Sequence, residues 1–466
     1  MKVLLVNPEY MQVYGKYKHV ARIGVFYPPL GLMYLAASLE RDGHRVRLLD
    51  CEVENESLID CLKSFKPDMV GITSTTPLHH NAMELFNIVK KINSGIITVS
   101  GGAHANVLGR QVLEECESID VVCAGEGEIT IREICRNINN LSKVEGVVCR
   151  NGDSIIKNPP RQLMQDINEV PFPARHLVKL KEYRFSVPGK GIVPVTPIRT
   201  MRGCPYRCVF CSQHCIFGHE IRYRSVNSII EEIKEIIYKH EISDLVFYDD
   251  TFGLNRELTY ELVDVVIKEK LKFTIEGWTR ASIIDEPFIK ALKSIGLTRL
   301  SIGVESGNQH ILDSSKKGVS LEQIRKAYEI ASKYKIETRM SIIFGLPFET
   351  SKTIRKTLQF MKSLKCYQAY VNVATPFPGT EFYDMAKSGY GGLKLLTHDW
   401  REFRRWGGAV ISVNDLQPQD LIKWQKRALL EFYLTPGRVV YNLRRAGLKA
   451  AIVNLISMIK SLFFSQ

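Results

Sequence analysis

The 466-residue sequence has little that would place it in a membrane, a fibre or a disordered assembly. Only four consecutive apolar residues, Val3 to Val6, precede Asn7 and Pro8, so the start lacks the apolar stretch of a secretory signal and reads as a first β-strand. The apolar run Ala450 to Ile459 stops at Lys460, short of the ~20 residues that a spanning helix needs. Internal repeats and low-complexity segments are absent, which excludes a solenoid and a disordered tail. Hydrophobic and charged contents of 45% and 24% are those of a soluble globular protein, long enough for two or three domains. No RNP-type strand or aromatic-interleaved basic stripe accompanies the net charge of +13, so a nucleic-acid partner is not expected. The eleven cysteines show no framework of pairs and suit a reducing, cytoplasmic interior.

Three of those cysteines stand together in Met201-Arg-Gly-Cys-Pro-Tyr-Arg-Cys-Val-Phe-Cys211, after the strand-like run Ile192 to Thr200. Thiolates from Cys204, Cys208 and Cys211 can hold three irons of a 4Fe-4S cluster and leave the fourth iron open to a small molecule. The competing reading is a structural zinc with Cys215 or His214 as fourth ligand. Zinc sites usually pair two distant knuckles, and the sequence has no second one. Cys51, Cys61, Cys116, Cys123, Cys135, Cys149, Cys215 and Cys366 are scattered and read as free thiols.

With Phe210 before its last cysteine, this loop resembles that of the radical S-adenosylmethionine (SAM) enzymes. The resemblance implies that SAM chelates the open iron through its amino and carboxylate groups. One electron from the reduced cluster then yields a 5′-deoxyadenosyl radical that abstracts hydrogen from unactivated positions.

Residues 1–140 alternate continuous apolar strands (Lys2 to Val6, Arg45 to Leu49, Met69 to Ser74, Ile96 to Ser100, Asp120 to Ala124) with amphipathic helices. That pattern predicts an α/β, Rossmann-like, doubly wound parallel sheet. Ligands of such sheets bind at the carboxyl ends of strands, where Thr73, Ser74, Gly101, Gly102, His104, Gly125 and Glu126 stand. The same residues would also serve as turn glycines and helix caps. The turn Pro28 to Gly31 and the Gly-Gly-Ala-His-Ala and Gly-Glu-Gly-Glu turns resemble the cobalamin-binding domain found upstream of many radical SAM enzymes. No DxHxxG motif is present, so the resemblance implies cobalamin without a histidine axial ligand.

Residues 141–191 are expected to hold a hairpin, Val144 to Lys157 around Asn151-Gly152-Asp153, and an extended proline-marked linker. From 192 to 380 six further βα units predict a partial TIM-like barrel, with strands near Pro197 to Thr200, Asp244 to Tyr248, Phe273 to Trp278, Leu300 to Val304, Thr338 to Phe344 and Ala369 to Val373. Tyr248, Asp249 and Asp250 end the second strand where the radical SAM family often has Gly-Gly-Glu. The carboxylates are candidates for the SAM ammonium, or for caps. Glu305 suits the ribose hydroxyls and Ser306 the SAM carboxylate. The resemblance places adenine against the turn at Gly345. Arg339 would pair either with the SAM carboxylate or with Glu276.

Residues 381–466 are expected to be helical. From Arg401 onward eleven basic residues face four acidic ones, and the segment Gly437 to Phe464 would lie on a membrane surface or dock on the protein. The domain order implies carbon methylation from cobalamin, of a small molecule or lipid, with ring formation or oxidation of the tetrapyrrole-cyclase kind as the alternative. An electron donor such as flavodoxin or ferredoxin follows from the chemistry. A basic zinc-stabilised nucleic-acid-binding protein is the reading from another class.

Overall fold

A computed structural model of the protein describes residues 1–17 and 27–443. The apolar runs of the first part form β1 (Lys2–Asn7), β2 (Arg45–Asp50), β3 (Met69–Thr73), β4 (Ile97–Gly101) and β5 (Val121–Cys123). Their order is β2-β1-β3-β4-β5, all parallel. Between them run α1 (Leu30–Arg41), α2 (Leu58–Phe65), α3 (His79–Ile92), α4 (Ala103–Glu115) and α5 (Gly127–Arg136). Both faces of the sheet are covered, as its continuous apolar strands require. The strand order reverses between β1 and β3, and in open α/β sheets the ligand crevice lies beyond the carboxyl ends at such a point. The predicted hairpin is β6 (Val147–Asn151) and β7 (Ser154–Lys157), which add two antiparallel strands to this sheet.

A second hairpin pairs β8 (Arg184–Val187), in what the sequence presents as linker, with β9 (Gly191–Pro194), which takes up the start of the strand-like run from Ile192. Beyond it, β10 (Thr196–Ile198) starts the barrel, and β11 (Met201–Arg202), α6 (His214–Phe217) and β12 (Arg222–Tyr223) frame the cysteine loop. After α7 (Val226–Lys234) come β13 (Asp244–Phe247), α8 (Arg256–Lys268), β14 (Thr274–Thr279), α9 (Glu286–Ser294), β15 (Leu297–Glu305), α10 (Gln309–Ser314), α11 (Leu321–Lys333), β16 (Glu337–Phe344), α12 (Ser351–Ser363) and β17 (Gln368–Val373). The strand order β10-β13-β14-β15-β16-β17 is sequential and parallel throughout, giving the expected open (β/α)6 barrel. Asn255, Ser320 and Thr350 cap α8, α11 and α12 through their side chains.

The barrel lumen is polar at its amino-terminal half and closed there. Glu276 on β14 pairs with Arg299 on β15 (2.8 Å) and Arg339 on β16 (2.6 Å), and Arg299 also reaches Glu337 (2.9 Å). The β8–β9 hairpin covers this layer: Ser186 O accepts from Arg299 (2.8 Å) and the Phe185 ring lies 5.1 Å from the Arg339 guanidinium.

The C-terminal region is less helical than its sequence suggests. Between α13 (Glu381–Ser388) and α14 (Pro418–Tyr433), alternating residues form an antiparallel pair, β18 (Leu393–Leu395) and β19 (Ile411–Val413). The helix α14 lies along the open edge of β17, where Gln425 donates to Val371 O (2.8 Å) and Tyr433 OH accepts from Ala369 N (3.0 Å). These side chains satisfy backbone groups that an edge strand otherwise presents to other chains. No helix among the described residues is long and apolar enough to cross a membrane.

The linker is tied to the barrel through Glu232 on α7, whose wholly buried carboxylate holds Arg175 at 2.6 Å and also bonds Arg224. Breaking such a pair leaves buried charge uncompensated. Glu232→Ala is therefore expected to lower the unfolding free energy by roughly 3–5 kcal/mol in urea titrations.

Candidate active site

The cysteine loop starts where β10 ends. Asp249, just beyond β13, accepts from Thr200 N (2.6 Å), Thr200 Oγ1 (2.6 Å) and Met201 N (3.2 Å). Burial pushes its carboxyl up to about 6 against the pull of these Thr200 bonds. Gly203 follows with φ +91°, and a Cβ there would lie 1.9 Å from Glu220 O, so only glycine turns the chain into the loop. The far side of the loop is fixed by backbone bonds from Val209 N to Ser315 O (3.1 Å) and from Phe382 N to Val209 O (2.9 Å).

All three loop cysteines are free and half-buried. Cys204 Sγ lies 3.5 Å from Thr251 Oγ1, and Cys208 Sγ lies 3.6 Å from Arg280 Nη1. Burial pushes the Cys211 thiol up to about 11, with the nearby Cys208 and Cys204 sulfurs and the Asp250 carboxylate adding to the rise. A tetrahedral zinc with ~2.3 Å bonds holds its sulfurs roughly 3.8 Å apart. Among the described residues the only three metal-ligating atoms within 4.8 Å of one another belong to His79, His104 and Glu115, so the three loop sulfurs are spread more widely than one zinc allows. Cys215, the candidate fourth zinc ligand, instead contacts Gly379 O (3.4 Å) and its neighbour His214 (3.7 Å). The donor set fits a cluster that meets each sulfur at a different iron.

Around the loop, the two adjacent carboxylates differ. Asp249 is consumed by the end of β10, whereas Asp250 accepts only from Gly203 N (3.2 Å) through Oδ2. Its Oδ1 is buried without a hydrogen-bond partner, 3.5 Å from Arg199 Nη1. Tyr248 packs edge-on against Trp278 (5.1 Å) and Tyr27 (6.0 Å). At the end of β15, Glu305 takes φ +63° and pairs with Lys317 at 2.7 Å, both side chains buried. A Cβ on Gly303 would fall 2.3 Å from Glu305 Oε1, so that glycine makes room for the pair.

Several predicted roles meet prior engagements. Ser306 is fully buried, with its hydroxyl 3.1 Å from Thr357 Oγ1 and accepting from Asn308 N (3.2 Å), which fixes the turn and leaves nothing for a carboxylate. Arg339 takes the Glu276 alternative and lies deep in the barrel beneath the carboxyl ends. Gly345, at φ +96°, donates its N–H to Glu349 (2.9 Å), and Ile411 and Leu421 close over its turn.

The first domain meets this loop with its own carboxyl edge. Glu126 is not free for a ligand: it pairs with Arg202 (2.9 Å) and Arg222 (2.7 Å) and accepts from Met164 N (2.8 Å). Burial raises the Glu126 pKa, but the two guanidinium groups outweigh it and hold the carboxyl below the usual range. Glu128 also bonds Arg202. Asn106 joins the two edges, donating to Cys215 O while accepting from Gly125 N.

Gly102, at φ +94°, lets β4 pass over Thr73 and Ser74, where a Cβ would meet Ser74 O at 2.6 Å. Gly101 O accepts from Ser74 N (2.8 Å). Ser74 Oγ, Ser100 Oγ and His104 Nε2 are buried there without partners, a set of orphaned polar atoms suited to the polar groups of a large cofactor. His104 itself is 1% exposed, its ring tilted against His79 at 4.2 Å and edge-on to Trp400 at 5.3 Å. Burial and the neighbouring His79 push it down to about 3, so the ring is neutral.

Arg199, Thr251, Lys317 and Arg280 were not marked by any motif. Their signal is positional, since Arg199, Thr251 and Arg280 follow closely on the carboxyl ends of barrel strands.

Glu349 supplies a pH test of the turn at Gly345. Burial pushes its carboxyl up to about 7 despite bonds from Gly345 N and Thr353. The native state therefore binds the extra proton between about pH 4.5 and 7, and stability falls as pH rises through that window. Glu349→Gln should exceed the wild type at pH 8 by on the order of 2 kcal/mol. In urea titrations the difference should vanish near pH 4.5.

The B12 binding domain family matches residues 18–135, and the Radical SAM superfamily matches residues 198–361. A Pyrococcus horikoshii protein described as an uncharacterized methyltransferase is 32% identical over 95% of this chain and 95% of its own length. The anaerobic magnesium-protoporphyrin IX monomethyl ester cyclase of Cereibacter sphaeroides is 27% identical over 82% of this chain and 63% of its own length. The fold matches the radical SAM methyltransferase TsrM of Kitasatospora setae, solved with cobalamin and a 4Fe-4S cluster, with TM-score 0.72 and 17% identity over 99% of this chain and 98% of that one. Two domains, three cysteines and their facing strand ends thus agree: this chain belongs to the cobalamin-dependent radical SAM enzymes, with an N-terminal B12 binding domain.

Proposed function

We propose that the enzyme transfers a methyl group to an unactivated carbon of a small-molecule or lipid substrate held between its two domains. The observation that carries this reading is the meeting of the two carboxyl edges across the cysteine loop, joined by Arg202 to Glu126 and by Asn106 to Cys215. When bound, the cluster and SAM supply a 5′-deoxyadenosyl radical, and cobalamin supplies the methyl group.

The chain's own part is to bind, orient and exclude water. Asp250 Oδ1, which accepts no hydrogen bond and lies 3.5 Å from Arg199, suits the SAM ammonium, because a buried carboxylate oxygen gains a charge-assisted bond from it. Glu305, already polarised by Lys317, is suited to the ribose hydroxyls. Thr73, Ser74, Gly101, Gly102 and Gly125 line the edge suited to cobalamin. The packing of His104 supports a corrinoid without a protein imidazole below it.

A net charge of +13 favours an acidic electron-transfer protein of the flavodoxin or ferredoxin kind. A peripheral contact with the inner face of the membrane rests on the segment from Arg444 onward, which lies outside the described residues. Arg438, assigned to that segment by sequence, is buried and donates to Cys366 O (2.8 Å), Met361 O (3.1 Å) and Leu364 O (3.1 Å) at the end of α12. It serves docking, as the carbonyls of a helix end attract a cation.

Similarity to the cyclase sustains ring formation or oxidation as a second reading. Untargeted mass spectrometry of lipids and metabolites from anaerobic cells lacking this chain, complemented with wild type or Cys211→Ala, separates the two. Loss of a product one methylene heavier than its accumulating precursor supports methylation. A pair differing only by hydrogen or oxygen replaces it with the second reading. In calorimetry with the reconstituted protein, Asp250→Asn should weaken SAM binding about tenfold, the ~1.4 kcal/mol of one charge-assisted bond.

A further inference from the structure

Among the described residues, most buried arginines are matched to carboxylates. Arg175 has Glu232, Arg202 and Arg222 share Glu126, Arg299 and Arg339 share Glu276, and Arg199 faces Asp250. Arg438 has none but sits on the carbonyls that end α12.

Arg280 is different. It is the first residue beyond the carboxyl end of β14 and only 5% exposed, and among the described residues no carboxylate lies within 4.0 Å of it. One nitrogen, Nη2, donates to Lys317 O and, at 3.4 Å, to Gly318 O. The other terminal nitrogen, Nη1, points at Cys208 Sγ at 3.6 Å. The guanidinium carbon stands 3.5 Å over the ring of Tyr206, inside the same cysteine loop, and Nε is buried without a partner.

A buried cation without a counter-charge is costly. The one group here able to become anionic within bonding distance is the Cys208 sulfur. We infer that Arg280 is a positioning residue for the cluster: its Nη1–H donates to the Cys208 thiolate, and its charge raises the reduction potential of the cluster held on that sulfur.

The inference rests on the loop holding an iron-sulfur cluster. Hydrogen bonds to the ligand sulfurs, local charge and burial are the protein's means of setting such a potential. The hydrogen bond and the positive charge both favour the added electron here, and burial leaves them little screened by water. The stack on Tyr206 and the bonds to the 317–318 carbonyls hold the fork in register, so the donor is fixed before any reductant arrives.

The test is an electron-paramagnetic-resonance redox titration of the full chain, reconstituted with iron and sulfide under anaerobic conditions and measured without SAM. For Arg280→Gln the ratio of reduced to oxidised cluster at a fixed potential should fall at least tenfold, a negative shift of about 59 mV for a one-electron couple. Arg280→Lys keeps the charge but loses the planar fork and should fall between the two. It also serves as the deciding variant if Arg280→Gln fails to assemble a cluster.

Variants with full iron content and the wild-type midpoint would overturn the inference. So would an unchanged SAM-free midpoint with only SAM affinity weakened, since the guanidinium would then serve a substrate carboxylate and not the sulfur. Absence of iron from the wild type would instead strike at the cluster itself, a separate failure.

Discussion

The buried contact of Arg202 with Glu126 and Glu128 is the constraint on which the arrangement depends. Arg202 lies in the short strand that leads into the cysteine loop, and both carboxylates belong to the first domain. Arg222, on the strand that leaves the loop, shares Glu126. Entry and exit of the loop are thus held from the other domain by buried, paired charges. The distance between the loop and the carboxyl edge of the first sheet is thereby set by the fold. Chemistry passed between two cofactors needs such a fixed distance, because misplacement by about 1 Å can cost a hundredfold in rate.

Within the loop region, neighbouring residues of like chemistry are divided between building and binding. Asp249 is spent on hydrogen bonds from Thr200 and Met201, whereas Asp250 Oδ1 accepts no hydrogen bond and has only the Arg199 charge beside it. Ser306 is spent on Thr357 and Asn308, while Glu305 beside it faces Lys317. The structural member of each pair shapes the backbone so that the other stands at the loop. Such a division is common at strand ends, where a turn has to be rigid before it can present a side chain.

Much of this was legible in the sequence. Continuous apolar strands at a βα period fix both sheets, because only two-sided burial explains them, and the cysteine spacing marks the loop without any knowledge of contacts. The lost information is of long range. That Glu126 would be drawn to Arg202 and Arg222 depends on how two domains meet, and a Gly-Glu-Gly-Glu turn looks the same whether it faces a ligand or a guanidinium. The hairpin β8–β9 escaped because β8, only four residues long and followed by Pro188, resembles extended linker, and β9 merges into the strand-like run that starts the barrel. Arg280 carries no local pattern, and its meaning comes from a sulfur 72 positions away. The pair β18–β19 was hidden for the same reason as the first hairpin: three-residue strands leave too little alternation to outweigh the helices around them.

The hairpin has a consequence for the whole barrel. With Phe185 seated over Arg339 and Ser186 bonded to Arg299, the amino-terminal mouth is stopped, and the Glu276 layer lies beneath as a second seal. The lumen is therefore a cul-de-sac with its entrance on the cysteine side. That entrance is where Glu126 of the B12 binding domain holds Arg202, so whatever reaches the lumen passes the seam between the two domains.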